Sequence, residues 1–396
     1  MAVAASSAPV PAARPVDRGP LVVALALLFA GSLLLASEVS ARQALLFLIG
    51  TGAGVVLYHA AFGFTSSWRD LIAHGRGSGL RAQMLMLGVT TTVFVPVIAS
   101  GSLFGQAVRG SVAPAGVPVI AGAFLFGIGM QLGGGCASGT LFSAGGGSVR
   151  MFVTLAAFIA GSVLGIRFTG IWENAPALRP MSLLGEFGAV PALAISLAAF
   201  VLIHRVATVV EVRRRGQVAG ENAAGSWRAL NGPWTLAAGA VGLAVVNIST
   251  LVVAGRPWGV TSAFALWGSK LMMTAGVDVA AWEYWQPAAR AADLQASVLR
   301  DVTSVMDVGI MLGAFIAAAL AGRLAPVWRI PARSLVAALV GGVLLGYGAR
   351  IAFGCNIGAY FSGVASTSLH GWVWLAAAFS GNIVGTKLRP VFGLAV

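Results

Sequence analysis

The chain has 396 residues, of which 58% are hydrophobic and only 9% are charged. Soluble globular domains carry roughly 25% charged residues, so this composition excludes an ordinary soluble enzyme and indicates a helical protein that crosses a membrane many times. The formal net charge of +13 does not indicate a nucleic-acid partner, because the arginines lie in short stretches between apolar runs, as in loops held on the cytoplasmic side of a membrane.

The first predicted element is a disordered cytoplasmic tail, residues 1–19, which is rich in Ala, Pro and Ser. Apolar runs of about 20 residues, the length that crosses a bilayer as a helix, follow it. They predict an all-α, polytopic inner-membrane protein with about ten spans. We expect the first run to remain as a helix rather than to be cleaved as a signal peptide, because it completes two halves of five spans each. The runs cover residues 21–37, 43–62, 80–100, 118–133, 150–169, 188–207, 232–254, 303–322, 334–350 and 371–388.

Basic residues predict how these spans are oriented. Residues 208–230 contain the run Arg213–Arg215 and separate a first transmembrane half, 20–207, from a second half, 231–396. Because basic loops stay in the cytoplasm, this stretch is predicted to be a cytoplasmic linker, with the N-terminus on the same side. The segment 276–301, which holds four acidic residues, then lies outside and is predicted to form a loop with a surface helix.

The two halves share an internal repeat. The only cysteines of the chain, Cys136 and Cys355, both lie in the frame G-C-x-x-G-x-x-F. With five spans in each half, the repeats have opposite topology, which is typical of transporters whose substrate site lies near the membrane midplane. At the separation of the two cysteines, 219 residues, Gly122, Leu125, Gly127 and Gly129 match Gly341, Leu344, Gly346 and Gly348, and one inserted residue later Gly161 and Gly165 match Gly381 and Gly385.

The glycine-rich cysteine segments are poor sequences for a straight membrane helix, because each glycine weakens a helix by up to about 1 kcal/mol. Irregular backbone at membrane depth occurs only where it is buried in protein or lines a cavity. We therefore predict that each segment is re-entrant and that a short helix starts just after each cysteine, where free N–H groups can bind an anion. The predicted substrate-binding residues are Cys136, Cys355, Gly135, Ser138, Gly139, Thr140, Gly354, Asn356, Gly358 and Ser362.

The thiols favour a particular kind of substrate. A neutral S–H group is a weak donor, and sulfur is polarisable, so an anion with a terminal sulfur and charged oxygens fits a thiol beside N–H groups. The alternative interpretation is that the cysteines are small apolar fillers and that the glycines serve helix packing. A metal site is less favoured, since two thiols alone are a poor ligand set for zinc, and no cofactor is predicted.

Other polar residues within the spans are weaker candidates. Gln131 and Arg350 occupy equivalent positions, five residues before each cysteine, and Arg350 either attracts an anion or reaches the membrane interface. Gln83, Lys270 and Asp307 line a pathway or hydrogen-bond helices to one another. The chain has no G-x-x-x-x-G-K-[ST] motif for ATP binding, so the source of energy stays open.

Several motifs resemble the YeeE/YedE sulfur-transport family, which includes TsuA-type thiosulfate transporters. They are GGGCASGTLFSAGGGS at 133–148, FGCNIGAYFSG at 353–363 and the paired segments GFTSSW and GVTSAF at 63–68 and 259–264. The resemblance implies a multi-pass protein of the bacterial inner membrane that imports thiosulfate through the lipid bilayer. It also implies that the two central cysteines pass the ion along by S–H contacts without covalent chemistry.

The resemblance leaves one position unmatched. Family members commonly carry a further cysteine near the first predicted re-entrant segment, but residues 59–70 contain none, so Ser66, Ser67 or backbone would serve the first binding step. The family also implies a TusA-like or rhodanese-type sulfur carrier as a cytoplasmic partner. Three alternatives stay open: a membrane sulfurtransferase that carries persulfide on cysteine, a transporter of another sulfur or selenium compound, and a transporter or channel for an unrelated solute.

Overall fold

The computed structural model describes residues 15–218, 229–324 and 328–396. Helices dominate, because a backbone within a bilayer must satisfy its own hydrogen bonds. A six-residue π-helix covers Asn356–Phe361. The α-helices in chain order are α1 (Arg18–Glu38), α2 (Ala41–His59), α3 (Phe64–His74), α4 (Ser78–Ala99), α5 (Val117–Gly133), α6 (Ala137–Gly145), α7 (Val149–Arg167), α8 (Thr169–Glu173), α9 (Leu183–Phe187), α10 (Ala189–Arg215), α11 (Leu236–Ala254), α12 (Thr261–Thr274), α13 (Ala288–Gln295), α14 (Val302–Leu320), α15 (Ala332–Ile351), α16 (Ser362–Ala365) and α17 (Leu369–Leu388).

Nine helical stretches of the described chain are long and apolar enough to cross a membrane. Three of them join a long helix to the short helical segments that follow it: Ala41–His74, Val117–Gly145 and Ala332–Ala365. The protein is therefore a multi-pass, all-α membrane protein, as its composition predicts. The tenth predicted run corresponds to α17, a 20-residue helix that is not among the nine because polar residues such as Asn382 interrupt it.

The predicted linker is partly helical. The helix α10 continues to Arg215 and ends at Gly216, whose φ of +78° suits the left-handed position after a helix. Its last turn consists of arginines, which interact favourably with the negative end of the helix dipole. Residues 219–228 of the predicted linker lie outside the described residues, as do residues 1–14 of the predicted tail, and α1 already begins at Arg18.

Four very short strands were not predicted. The strands β1 (Ser102–Leu103) and β2 (Gln106–Ala107) form one antiparallel pair, and β3 (Ala115–Gly116) and β4 (Ala177–Leu178) form another. Two residues are too few to produce an alternating hydrophobic pattern, so no sequence signal marks these strands.

The helices α5 and α15 cross at four glycines. A Cβ atom on Gly129 would lie 2.8 Å from the carbonyl oxygen of Gly341, and one on Gly122 would lie 2.6 Å from that of Gly348. Small residues at a membrane-helix crossing allow this close backbone contact, which maximises packing where no hydrophobic force drives helices together. The 219-residue offset relates Gly122 to Gly341 and Gly129 to Gly348. Each glycine pair at the crossing is therefore the repeat equivalent of the other, and the two halves meet here in a two-fold arrangement.

The other helix contacts follow the same exchange. The helix α15 packs against α7 while α17 packs against α5, and α14 packs against α2 while α4 packs against α11. At residue level, Gly161 lies against Val343, and its repeat partner Gly381 lies against Phe124. The sequence repeat is thus also a repeat in packing. The opposite membrane orientation of the two halves stays a prediction, since it follows from counting five spans in each.

We predict that Gly129→Ala destabilises the fold by about 1–3 kcal/mol, because the added methyl group would overpack a backbone contact. Gly52→Ala is the matched control, since a Cβ there meets nothing within 4 Å and alanine strengthens a helix by up to about 1 kcal/mol. The midpoint of thermal unfolding in detergent should fall for the first variant and not for the second. Equal midpoints would show that the crossing does not limit stability.

Candidate functional site

Cys136 is held at the start of a short helix, as the sequence predicts. It precedes α6 in an extended conformation, and the N–H of Gly139 donates to its sulfur over 3.4 Å. The hydroxyl of Thr140 donates to the Cys136 carbonyl over 2.8 Å, which fixes the backbone at this turn. The Ser138 hydroxyl lies 3.5 Å from the thiol. The thiol therefore lies beside two small polar groups of its own segment, the Ser138 hydroxyl and the Gly139 N–H.

Cys355 occupies the equivalent place before the π-helix. Gly354 adopts a φ of +145°, which residues with a side chain rarely adopt, so the glycine lets the chain turn here. The Trp374 indole N–H donates to the Gly354 carbonyl over 3.2 Å, and the Ala359 N–H donates to the Cys355 carbonyl over 2.8 Å. These bonds hold the segment from both sides.

The fold brings the two cysteine segments together. The helix α6 contacts the π-helix, and both cysteines belong to one buried apolar cluster. Their exposed fractions are 2% for Cys136 and 1% for Cys355. Two segments whose cysteines are 219 positions apart in sequence thus pack against each other in the buried core.

Asn356 carries the clearest unused polar group of the site. Its side chain is completely buried, and neither its amide nitrogen nor its amide oxygen has a hydrogen-bond partner within the described chain. Buried polar groups nearly always have partners, and an unsatisfied one is costly. An unpaired amide directly beside Cys355 can therefore donate to a bound anion.

Several predicted site residues are engaged elsewhere. The Ser362 hydroxyl donates to the Trp258 carbonyl over 2.7 Å and accepts from the Asn247 amide over 3.1 Å. Ser66 donates to the Gly63 carbonyl over 3.1 Å, and Ser67 packs against Gly79 at the start of α4. These three hydroxyls hold helix starts in place in this conformation.

The glycines of the cysteine segments permit close backbone contacts. A Cβ on Gly135 would lie 3.2 Å from the backbone nitrogen of Thr140, so the turn before α6 leaves little room for a side chain. The Gly358 carbonyl accepts from the Ser111 hydroxyl over 3.2 Å.

Gln131 and Arg350, which occupy equivalent positions before each cysteine, differ in their hydrogen bonds. Gln131 donates to the Asn382 side chain over 2.6 Å and to the Thr65 carbonyl over 3.1 Å, both buried. Arg350 donates to the Thr261 hydroxyl over 2.8 Å, but its Nε has no partner within the described chain. Gln131 is therefore a link between helices, whereas Arg350 keeps a free donor.

Arg350 lines a cavity of about 360 Å³ beside the second cysteine segment. Arg256 and Arg290 also line it, and no ion pair neutralises any of the three within the described chain. A concave surface of one charge sign concentrates ions of the opposite sign, so the cavity attracts anions. Its further lining residues include Trp258, Thr261, Ser262, Tyr284, Gly354 and Gly358.

Most residues of this cavity were not predictable from the sequence. Arg290 and Tyr284 come from the loop region 276–301, and the guanidinium of Arg290 lies 4.4 Å from the centre of the Tyr284 ring. Nothing in the sequence indicates that this loop folds over the cysteine segment. Arg256 was detectable, because it lies five residues before Thr261 of the repeated TS segment.

Two of the weaker polar candidates prove to be structural contacts. Gln83 accepts from the Trp68 indole N–H over 3.0 Å and lies 3.4 Å from the Tyr360 hydroxyl. Lys270 donates to the carbonyls of Leu294 and Ala296, each over 2.8 Å, and so ties the loop region 276–301 to α12. Among the described residues, no group of three or more His, Cys, Asp or Glu side chains could hold a metal ion.

The chain was compared with known protein families and proteins. A family model described as sulphur transport matches residues 59–384. The chain belongs to the sulphur transport family. Its relatives include the thiosulfate transporter TsuA of Spirochaeta thermophila, which is 25% identical over 82% of this chain and 92% of that protein. The predicted YeeE/YedE membership is thus confirmed.

Two further relatives match over shorter regions. The probable transporter YedE of Escherichia coli is 33% identical over 36% of this chain, and that of Salmonella typhimurium is 31% identical over 41% of it. The matches span 35% and 40% of the length of these two relatives. All three relatives are named as transporters.

We predict that neither native thiol reacts rapidly with a membrane-impermeant maleimide while the protein is folded, because both are almost completely buried. On unfolding in detergent, both should become labelled, as the structure contains two free cysteines. Ser102→Cys, which adds a thiol at an exposed position, is the positive control and should label at once. Fast labelling of Cys136 or Cys355 in the folded protein would contradict the buried site, and mass spectrometry of peptides identifies which thiol reacted.

Proposed function

We propose that this protein imports a small sulfur-containing anion, most readily thiosulfate, across the bacterial inner membrane. The observation that carries the proposal is the packing of two buried cysteine segments from equivalent repeat positions against each other, beside an arginine-lined cavity. A relative named as a thiosulfate transporter, similar over 82% of this chain, supports this substrate over other sulfur or selenium compounds.

The proposed path starts in the arginine-lined cavity and crosses both cysteine segments. In the predicted orientation this cavity opens outside, since the loop region 276–301 forms part of its wall. The anion passes from Arg350 to Cys355 and Asn356, and then to Cys136 and Ser138. Each thiol donates to the terminal sulfur, while backbone N–H groups and the Asn356 amide donate to the oxygens. Both segments act as re-entrant elements in this path.

Hydrogen bonding without covalent chemistry is the proposed mode of transfer. A thiolate nucleophile needs a nearby cation or base, whereas the polar groups around Cys136 are the Ser138 hydroxyl and the Gly139 N–H. A chain of neutral donors binds an anion and releases it again, as conduction through several weak sites requires. The alternative, a sulfurtransferase carrying persulfide, is tested below.

The cytoplasmic end of the proposed path is a second cavity, of about 380 Å³, lined by Arg150, Arg329 and Ser148. Arg150 donates to the carbonyls of Leu132 and Gly133 over 2.7 and 2.6 Å, at the end of α5 just before the first cysteine segment. We place delivery to a TusA-like or rhodanese-type carrier at this end, because such a carrier would take up the sulfur as it arrives.

Thiosulfate-dependent growth of a bacterium that lacks its own sulfur importers tests the function. The wild-type chain should restore growth, while Cys136→Ala and Cys355→Ala should each abolish it at equal membrane abundance, because each removes one donor of the path. Rescue by both alanine variants would make the cysteines fillers. No rescue by an abundant wild-type chain would remove thiosulfate as the substrate, and a cysteine-dependent rise in intracellular persulfide would favour the sulfurtransferase.

We predict that Asn356→Ala raises the KM for thiosulfate uptake by about 10–100-fold, because a hydrogen bond to a charged group contributes about 1.5–3 kcal/mol. Asn356→Asp, of nearly the same size, should also impair uptake, since a carboxyl group offers at most one O–H donor in place of the two N–H donors of the amide and repels the anion when it is ionised. Asn174→Ala, at an exposed position, is the control and should leave the KM unchanged. An unchanged KM in Asn356→Ala would remove this amide from the path. Initial rates of radiolabelled uptake in cells measure all three variants.

A further inference from the structure

Asp307 is a carboxyl group at membrane depth without any partner. It lies on α14, within the candidate span Val302–Leu320. Its side chain is completely buried, and neither carboxyl oxygen accepts a hydrogen bond within the described chain. Carboxylates inside a membrane are normally paired or face water, and burying an unpaired charge is very unfavourable. In this conformation the carboxyl group therefore carries a proton.

No cation forms an ion pair with Asp307 within the described chain. The elements packed against α14 are α1, α2, α6, α12 and the turn Val298–Arg300. Asp301 at the start of α14 is a further acidic group on the same helix. The titratable or charged side chains on the packed elements are Arg18 and Glu38 on α1, Arg42, Tyr58 and His59 on α2, Lys270 on α12 and Arg300 in the turn, while α6 has none and follows Cys136.

Asp307 lies close to the proposed path. Met306, next to it on α14, belongs to the same buried cluster as both cysteines. One helical turn further along the same face of α14, Met311 packs against Gly145 of α6, the helix that Cys136 starts. An ionised Asp307 would repel an anion at Cys355, whereas a protonated one would not. The protonation state of this one group therefore decides whether an anion can occupy the centre of the protein.

We propose that Asp307 is a proton-binding residue that couples inward proton movement to anion transport, an inference that rests on the proposed function. The carboxyl oxygen takes a proton from the outer water before the anion reaches Cys355. It releases that proton to the cytoplasm after the anion has left Cys136. Each anion then crosses together with a proton, so the inward proton gradient drives uptake of a species that an inside-negative potential opposes.

The test uses the purified full-length chain in liposomes that contain a pH-sensitive dye, with the membrane potential clamped by valinomycin and potassium. Thiosulfate added outside should acidify the interior of wild-type liposomes. In D307N the rate of this acidification should fall by about tenfold or more, a change that corresponds to a typical coupling free energy. Its exchange of labelled for unlabelled thiosulfate should continue and no longer depend on pH. D307E, which restores a carboxyl group, should restore acidification.

Asp278→Asn is the matched control. Asp278 is exposed and accepts from the Ala281 backbone over 3.3 Å, and an asparagine oxygen can accept the same bond, so acidification should be unchanged. Acidification that persists in D307N, or wild-type uptake driven by a sodium gradient in place of a proton gradient, would overturn the inference and leave the proposed function standing. Absence of thiosulfate exchange in wild-type liposomes would instead overturn the proposed function and the inference with it.

Discussion

The glycine crossing of α5 and α15 is the contact on which the rest of the structure depends. Each cysteine segment begins where one of these helices ends, after Gly133 and after Ile351. The close backbone contact at the crossing therefore positions the starts of the two cysteine segments relative to each other. Arg150 and Arg389 hold the end of α5 by donating to the carbonyls of its last residues. A larger residue at the crossing would move the two cysteine segments apart without first changing the structure within either segment.

Several polar groups inside the described membrane region link helices, and three buried groups that keep an unpaired atom lie on or near the proposed path. Gln131, Asn247 and Gln83 hydrogen-bond one element to another. Asn356, Asp307 and the Nε of Arg350 lack partners. Moving one negative charge inward against a potential of 100 mV costs about 2.3 kcal/mol, so a doubly charged anion needs both stabilisation and coupling. The unpaired groups supply a donor, a proton site and a cation for these needs.

The sequence was sufficient for the membrane class, the repeat and the central cysteines, because hydropathy, glycine spacing and a rare residue type are local signals. Nearly every predicted run lies on a helix of the structure. The arginine-lined cavity was not predictable, since Arg290 reaches it only through the folding of a loop without periodicity. The hydrogen bonds of Ser362 were not predictable for a related reason, because its partners Asn247 and Trp258 are more than 100 positions away. The sequence does not distinguish Gln83 from Asp307, because only the structure shows that the Gln83 side-chain oxygen accepts a hydrogen bond and that the Asp307 oxygens do not.

The most direct test of the central claim is competition for labelled thiosulfate uptake in liposomes that contain only this chain. Sulfate has the charge and nearly the shape of thiosulfate but lacks its terminal sulfur. If the thiols recognise that sulfur, excess unlabelled thiosulfate abolishes uptake of the label and equal sulfate leaves it nearly unchanged. Equal inhibition by both anions would contradict the account, because the site would then select charge alone and the two cysteines would have no part in recognition.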